Sequence, residues 1–559
     1  MKLVGYTALF CFFCVALSSA QDLPPQHLVQ DWSTRHVVFT GLTPETLDDA
    51  VAADPRAWHS WLDHARYNFQ PALEINTEPD ADFARPRHKK PLHRDWQMNL
   101  GGSSVGPRTF PAKFSFNINA PPDCTNDYVV FGTTDPVLTG HVGGSPSIVA
   151  FNNLYTGPGP TGICPTPIAP ASQPSVLFSY NTGTVSSGVS VANLSPVLSL
   201  DGKKIGFVEN NSGSGSNYTA FHVLTWKAGE GTLASATLPG NCASGNSCLT
   251  TLVLSTSSSD SRSSPFVDYA HDTAYVGDGA RLHKITPVFG GTPKDTVGGG
   301  WPVVLASAGS PVYDSVSGRI FVVASVSGSN SLVVINAATG ATISSTALTA
   351  FTPSDPIVDS TNQTVFVFFT VLPSFALTVD QFDTSGILLS HLVAGHVSGN
   401  VSIFMGTFDH NYFLNPSTGR LYFAGTINFV GSLYGVGFTG KFMNTTFSGP
   451  LALSTSATTS VPTPLTSIYN PTLSGSPNRL FVGLDANCTS ASTAGCMESL
   501  NISSGFPSGV LNQLTIPLSG SSLDVSGIIV DNVSASAQAS SIYFDGAGVA
   551  FKLTQSALQ

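Results

Sequence analysis

From about residue 110 onward, apolar residues come in short runs separated by Gly, Pro, Asn, Asp and Ser, the pattern of short buried strands joined by turns. The runs recur as a unit: an extended run opened by Pro, a polar turn, then an apolar run whose aromatic lies ten residues after the Pro. Pro265 leads to Tyr275, Pro311 to Phe321, Pro356 to Phe366 and Pro471 to Phe481. Pro196 reaches Phe207 with one extra residue, and Tyr412 to Tyr422 keeps the spacing without the Pro. The intervening turns, such as Asp314-Ser-Val-Ser-Gly318, Asp359-Ser-Thr-Asn362 and Asn415-Pro-Ser-Thr-Gly419, suit hairpins.

Units begin near 110, 195, 264, 310, 355, 411, 470 and 526. Repeats of about this length, with four short strands each, predict an all-β β-propeller, because one blade cannot cover its own apolar faces and a closed ring covers them all. Eight blades are expected, with seven the alternative. The last unit supplies strands at 527–532, 541–544 and 549–553 and then lacks an outer strand, whereas Asp95-Trp96-Gln-Met-Asn-Leu100 alternates like a strand ahead of the first unit. The expectation is that this N-terminal strand completes the C-terminal blade, with residues 95–559 forming the propeller.

Composition divides the chain at the same point. Of the 75 residues from Gln21 to Asp95, 12 are Asp or Glu and 8 are Lys or Arg, against 10% charged residues in the whole chain. Residues 21–94 read as a charged leader: two short amphipathic helices around Thr43-Pro44-Glu45 and Trp58 to Ala65, then an extended tether through Arg85-Pro-Arg-His-Lys-Lys-Pro. Ahead of it, Met1, Lys2, the apolar run from Leu9 to Leu17 and Ser18-Ser19-Ala20 read as a signal peptide at 1–20. A secreted or periplasmic chain follows, with no membrane span. Six cysteines then remain, and in an oxidising compartment they are expected as disulfides between neighbours: Cys124 with Cys164, Cys242 with Cys248, Cys488 with Cys496. The acidic balance, a formal net charge of −11, leaves nucleic acid an unlikely partner.

Several segments carry a resemblance. Trp96-Gln-Met-Asn-Leu-Gly, Phe110-Pro-Ala-Lys-Phe-Ser-Phe, Asp127-Tyr-Val-Val-Phe and Ser147-Ile-Val-Ala-Phe-Asn-Asn-Leu-Tyr, with Arg35-His-Val-Val-Phe and Asp54-Pro-Arg-Ala-Trp-His-Ser-Trp before them, resemble a group of uncharacterised secreted bacterial proteins. More distantly, Val333-Val-Ile-Asn-Ala-Ala-Thr-Gly340 is similar to quinoprotein and YVTN-type propeller repeats. The resemblance implies a propeller. It implies no cofactor, since Ala341-Thr-Ile-Ser-Ser stands where quinoprotein docking repeats place a Trp.

Candidate chemistry is sparse. Gly102-Ser103-Ser104-Val105-Gly106 matches the spacing of a nucleophile elbow, but Pro107 and the following strand deny it the helix that exposes the hydroxyl. The pairs His59/His64, His88/His93 and His391/His396 are each five apart and miss the helical metal spacing. His271, Asp272 and Asp278 crowd one hairpin, where turn acids usually bond their own backbone. Asp268, Asp314, Asp359 and Glu209 are the acids a glycosidase-like pair would draw on; the first three recur at one position of successive units, which points to a structural role. Nine Asn-x-Ser/Thr sequons occur, about the number expected by chance in so Ser- and Thr-rich a chain. The favoured reading is a binding or interaction scaffold without enzymatic activity, using loops such as 157–174, 212–216 and 488–496 to hold an extracellular protein or polysaccharide. A polysaccharide hydrolase or lyase with acids or histidines at the channel mouth is the alternative.

Overall fold

The computed structural model describes residues 29–30, 37–39 and 93–554, apart from loop stretches such as 157–163, 470–477 and 532–540. The repeat units become eight antiparallel sheets, each led by a short strand: Ala112–Ser115, Val197–Leu198, Phe266–Asp268, Val312–Asp314, Ile357–Asp359, Thr407–Phe408, Thr466–Tyr469 and Ile529–Asp531. These first strands are buried and touch one another from blade to blade, whereas fourth strands such as Thr342–Ala347 and Val510–Thr515 have no buried residue. First strands therefore line the axis and fourth strands form the rim, so the chain is an eight-bladed β-propeller. Among the described residues the helical content is one short helix, His410–Leu414, and a 3-10 turn, Pro416–Thr418. The helices expected in the leader lie outside the described residues.

Closure is as the strand count required. His93–Asn99 pairs antiparallel with Val549–Thr554 and becomes the outer strand of blade 8, carrying the chain directly into blade 1. Trp96 is 3% exposed; it sits between Phe151 of blade 1 and Tyr543 of blade 8, and its indole N–H donates to the Leu154 carbonyl at 3.0 Å. One side chain thus joins both ends of the ring.

The repeating Pro has a physical partner that explains it. The residue before it accepts a hydrogen bond from the matching backbone N–H of the preceding blade: Phe110 N–H to Ser195 Oγ (2.9 Å), Ser195 N–H to Ser264 Oγ (3.0 Å), Ser264 N–H to Ser310 Oγ (3.0 Å), Ser310 N–H to Asp355 Oδ1 (2.7 Å). Pro itself has no N–H to leave unmet at this crowded position. A relay of buried side-chain acceptors therefore runs from blade 1 to blade 5.

It stops at blade 6, where Met405-Gly406 precedes the inner strand. There the unit departs from the expected register. Tyr412 is not in the first strand but in the helix His410–Leu414, capped by Asp409, and the first strand lies upstream at Thr407–Phe408. Pro471 likewise does not open the first strand of blade 7, which has already run from Thr466 to Tyr469. In blade 6 a helix and a 3-10 turn, not an extended run, fill the spacing, whereas Pro471 itself lies outside the described residues.

The leader contributes strands that periodicity did not reveal. Val29–Gln30 pairs antiparallel with Ile357–Asp359 of blade 5, and Val37–Phe39 pairs parallel with Ala112–Ser115 of blade 1. Both partners are inner strands, and blades 1 and 5 face each other across a ring of eight. All inner strands run the same way along the axis, from what we term the entry face to the turn face. The leader therefore climbs along blade 5 and descends along blade 1.

Candidate functional site

Propellers place chemistry at the axis and on the loops around its two mouths, so the inner-strand ends come first. Six of the eight end in or near an acid, blades 1 and 7 being the exceptions, and the acids of blades 3 to 6 are engaged in local contacts. Asp314 accepts from the N–H groups of Val316 and Ser317, and Gly318, at φ +66°, closes that turn. Asp359 accepts from Thr361 and Asn362 N–H, from the Asn362 amide and from Tyr412 Oη of blade 6 at 2.7 Å. Asp409 accepts from Tyr412 and Arg420 N–H, and burial pushes its carboxyl up to about 6. Asp268 binds His271 Nδ1 at 2.7 Å. These acids fasten turns and, at Asp359, neighbouring blades.

At the ring closure the same position becomes an ion-pair cluster. Lys113 Nζ lies 2.8 Å from Asp531 Oδ2, close enough to pair although not aligned as a hydrogen bond, and donates to Ser115 Oγ at 2.6 Å. Lys552 Nζ donates to Asp95 Oδ2 at 2.6 Å, as does Thr554 Oγ1 at 2.6 Å. Tyr155 lies between the two ammonium groups, 5.7 and 5.9 Å from its ring, and its hydroxyl donates to Asp127 at 2.5 Å. Both lysines are fully buried. Burial depresses the Lys552 ammonium, opposed by Asp95, and raises the Asp127 carboxyl, opposed by Lys113. With no solvent access, this cluster can hold the ring together but cannot receive a substrate.

The remaining sequence candidates are dispersed. Glu209 is fully buried in blade 2, accepting from Thr182 and Tyr218 hydroxyls at 2.9 and 2.8 Å, with His222 Nε2 at 3.7 Å. His271, Asp272 and Asp278 do not converge: Asp272 accepts from Phe289 and Gly290 N–H, while Asp278 accepts from Ala280 and Arg281 N–H. Instead His283, which sequence reasoning missed, is clamped between Asp278 (3.1 Å) and Asp295 (2.8 Å). Burial opposes its charge, but the two carboxylates prevail and hold the imidazolium up to about 9. His391 pairs with Asp380 at 2.6 Å. Ser103, Ser104, His59, His64 and His88, and the side chains of His93 and His396, lie outside the described residues. Among the described residues no group of three or more His, Cys, Asp or Glu side chains is arranged to hold a metal ion, and no helix is long and apolar enough to cross a membrane.

The six cysteines form the pairs Cys124–Cys164, Cys242–Cys248 and Cys488–Cys496. The first ties the two turn-face loops of blade 1, the second braces the turn-face loop of blade 2, and the third braces an entry-face loop of blade 7. The loops expected to form one binding rim lie largely outside the described residues, but the strands that flank them put the ends of 157–174 at the turn face and those of 212–216 and 488–496 at the entry face. The entry face also carries added strands, Val137–Leu138 and Val189–Val191 extending blade 2 and Ala350–Pro353 extending blade 5.

No family model matches the chain, and no curated protein does. Solved structures similar to it include the Dos1 propeller, at 10% identity and TM-score 0.46 over 83% of this chain and 95% of that one. A protein from Lactobacillus plantarum is similar at 14% identity and TM-score 0.38, over 70% and 96%. So is the β-propeller domain of Cps50 (Swd1) from Myceliophteria thermophila, at 9% identity and TM-score 0.34, over 67% and 99%. The class is the β-propeller, defined by the eight sheets around the axis, and it goes no further than the fold.

Proposed function

We propose that this protein is an exported β-propeller that serves as a binding scaffold, presenting entry-face loops to an extracellular protein or polysaccharide. The observation that carries the reading is the leader main chain paired with the inner strands of blades 1 and 5. It occupies the axial space where a channel enzyme holds its substrate. The acids suited to hydrolysis are meanwhile committed to turn N–H groups, and Glu209 is sealed inside blade 2. Rim loops, by contrast, vary without disturbing blade packing, and those at 133–147, 181–196 and 485–495 carry extra strands or a disulfide brace. Three disulfides suit an oxidising compartment, in keeping with the signal-peptide reading of 1–20.

The mature chain, applied to a polysaccharide array and to intact bacterial surfaces, should bind in a manner lost when 133–147 or 485–495 is replaced by a short Gly-Ser turn. Binding that survives both replacements, or release of reducing sugar from any array member, would overturn the proposal.

A further inference from the structure

Blade 7 holds a carboxyl that neither ring closure nor turn formation explains. Glu498 lies on the strand Cys496–Asn501, is 1% exposed, and has one oxygen, Oε2, without a hydrogen-bond partner. Its other oxygen, Oε1, accepts from the Gln513 amide at 3.0 Å and stands 3.8 Å from the Cys496 sulfur. The same Gln513 amide reaches that sulfur at 3.4 Å and the Cys488 carbonyl at 2.8 Å. A buried, half-satisfied acid touching a disulfide calls for a reason.

The two sulfurs are unequal. Cys496 is fully buried, whereas Cys488 is half-buried at the edge of the entry-face loop. An external thiolate therefore meets Cys488 first and expels Cys496, which would have to appear as an anion among Leu433, Leu453 and Leu484. Thiolates are strongly disfavoured in such surroundings. We propose that Cys488–Cys496 is a redox-responsive clasp on the entry-face loop, opened by a dithiol, with Glu498 as the acid that protonates the departing Cys496 sulfur. The dithiol's first thiolate bonds to Cys488 Sγ as the S–S bond breaks, and the Glu498 proton passes to Cys496. The second thiolate then attacks the dithiol's own sulfur in the mixed disulfide, closing a cyclic disulfide and expelling Cys488 as a thiolate that takes a proton from water, while Glu498 regains its proton from water as well. Two electrons move from the dithiol to the clasp.

Glu498 is suited to this because burial raises its carboxyl to about 8, opposed only by the Gln513 hydrogen bond. Val482 pairs with it from the second strand and Gln513 from the fourth, and no charged side chain contributes to its shift. The nearby loop acid Asp485 is held by Val461 N–H. The inference does not depend on the binding function: the clasp opens whether or not its loop meets a partner.

The test is reduction of the full mature chain by dithiothreitol, with alkylation at timed points and peptide mass analysis of each disulfide. Cys488–Cys496 is expected to open at least tenfold faster than Cys124–Cys164, and Glu498→Gln to slow it roughly tenfold or more while leaving the other two pairs unchanged. The wild-type advantage over E498Q should shrink as pH rises through about 8, where Glu498 has lost its proton. Opening no faster than that of Cys124–Cys164, or an E498Q rate equal to wild type throughout, would overturn the proposal. Should E498Q fail to fold, the wild-type rate relative to Cys242–Cys248 reads the same proton: a fall above about pH 8 supports the clasp and a constant ratio refutes it.

Discussion

Blades 2 to 5 and the arc from blade 6 back to blade 1 solve the same packing problem with different chemistry. In the first group a Ser-Pro or Asp-Pro pair opens each blade, and neutral hydroxyl or carboxylate acceptors catch the N–H of the blade before. In the second group the relay is gone. Blades 6 and 7 are joined by hydroxyl-to-carbonyl contacts such as Ser467 to Phe408, blades 8 and 1 by the buried Lys113–Asp531 pair, and the closing strand to the last strand of blade 8 by Lys552–Asp95. A regular repeat needs only many weak, equivalent joints. The seam where the two chain ends meet has one chance to close, and it concentrates ion pairs, Trp96 and the outer strand there.

The comparison is broken most severely at the seam. Asp95→Ala leaves the Lys552 ammonium buried without its carboxylate, and should cost about 3–5 kcal/mol in urea unfolding. The double change Asp95→Leu with Lys552→Met should recover most of that loss; equal losses in the two variants would show that the pair matters only as packing. Ser264→Ala, which orphans the Ser195 N–H within the relay, should cost less, about 1–3 kcal/mol, and Ser310→Ala a similar amount. A relay variant as damaging as Asp95→Ala would erase the distinction between the arcs.

The smallest effect sharpens the contrast through pH. The His283 imidazolium is held up to about 9 between Asp278 and Asp295, above its unfolded value of about 6.5. Its contribution is complete below the unfolded value and is lost as pH rises through about 9. A difference on the order of 1 kcal/mol between wild type and His283→Gln at pH 6, vanishing by pH 10, is expected from unfolding curves. A pH-independent difference would mean that the ring serves only as a spacer.

The same contrast decides what could be read from the residues alone. The regular arc was legible because its joints are local in sequence: Ser195-Pro196, Ser264-Pro265, Ser310-Pro311 and Asp355-Pro356 each mark an inner strand, and the Pro was the visible half of the pair. The closing strand at Trp96 was legible because blade 8 otherwise lacked a partner for Val549–Thr554. Blades 6 and 7 misled because Tyr412 and Pro471 fall at the right interval for the wrong reason: Tyr412 sits in a helix after its inner strand, and the inner strand of blade 7 ends at Tyr469, before Pro471. The clusters were out of reach for another reason. Lys113 meets Asp531, and Lys552 meets Asp95, only after the ring has brought residues more than four hundred positions apart into contact. Glu498 beside Cys496 could have been suspected from its place two residues along the same strand, since alternate residues share a face. The leader strands at 29–30 and 37–39 are too short to show a period.

Those leader strands bear on assembly. The first pairs antiparallel with one inner strand and the second parallel with another, so the two run in opposite directions along the axis. Neither pairs with the closing strand His93–Asn99 or with Val549–Thr554. The seam at Trp96 therefore has its strand partners without them, and shutting the ring does not have to wait for the leader to dock.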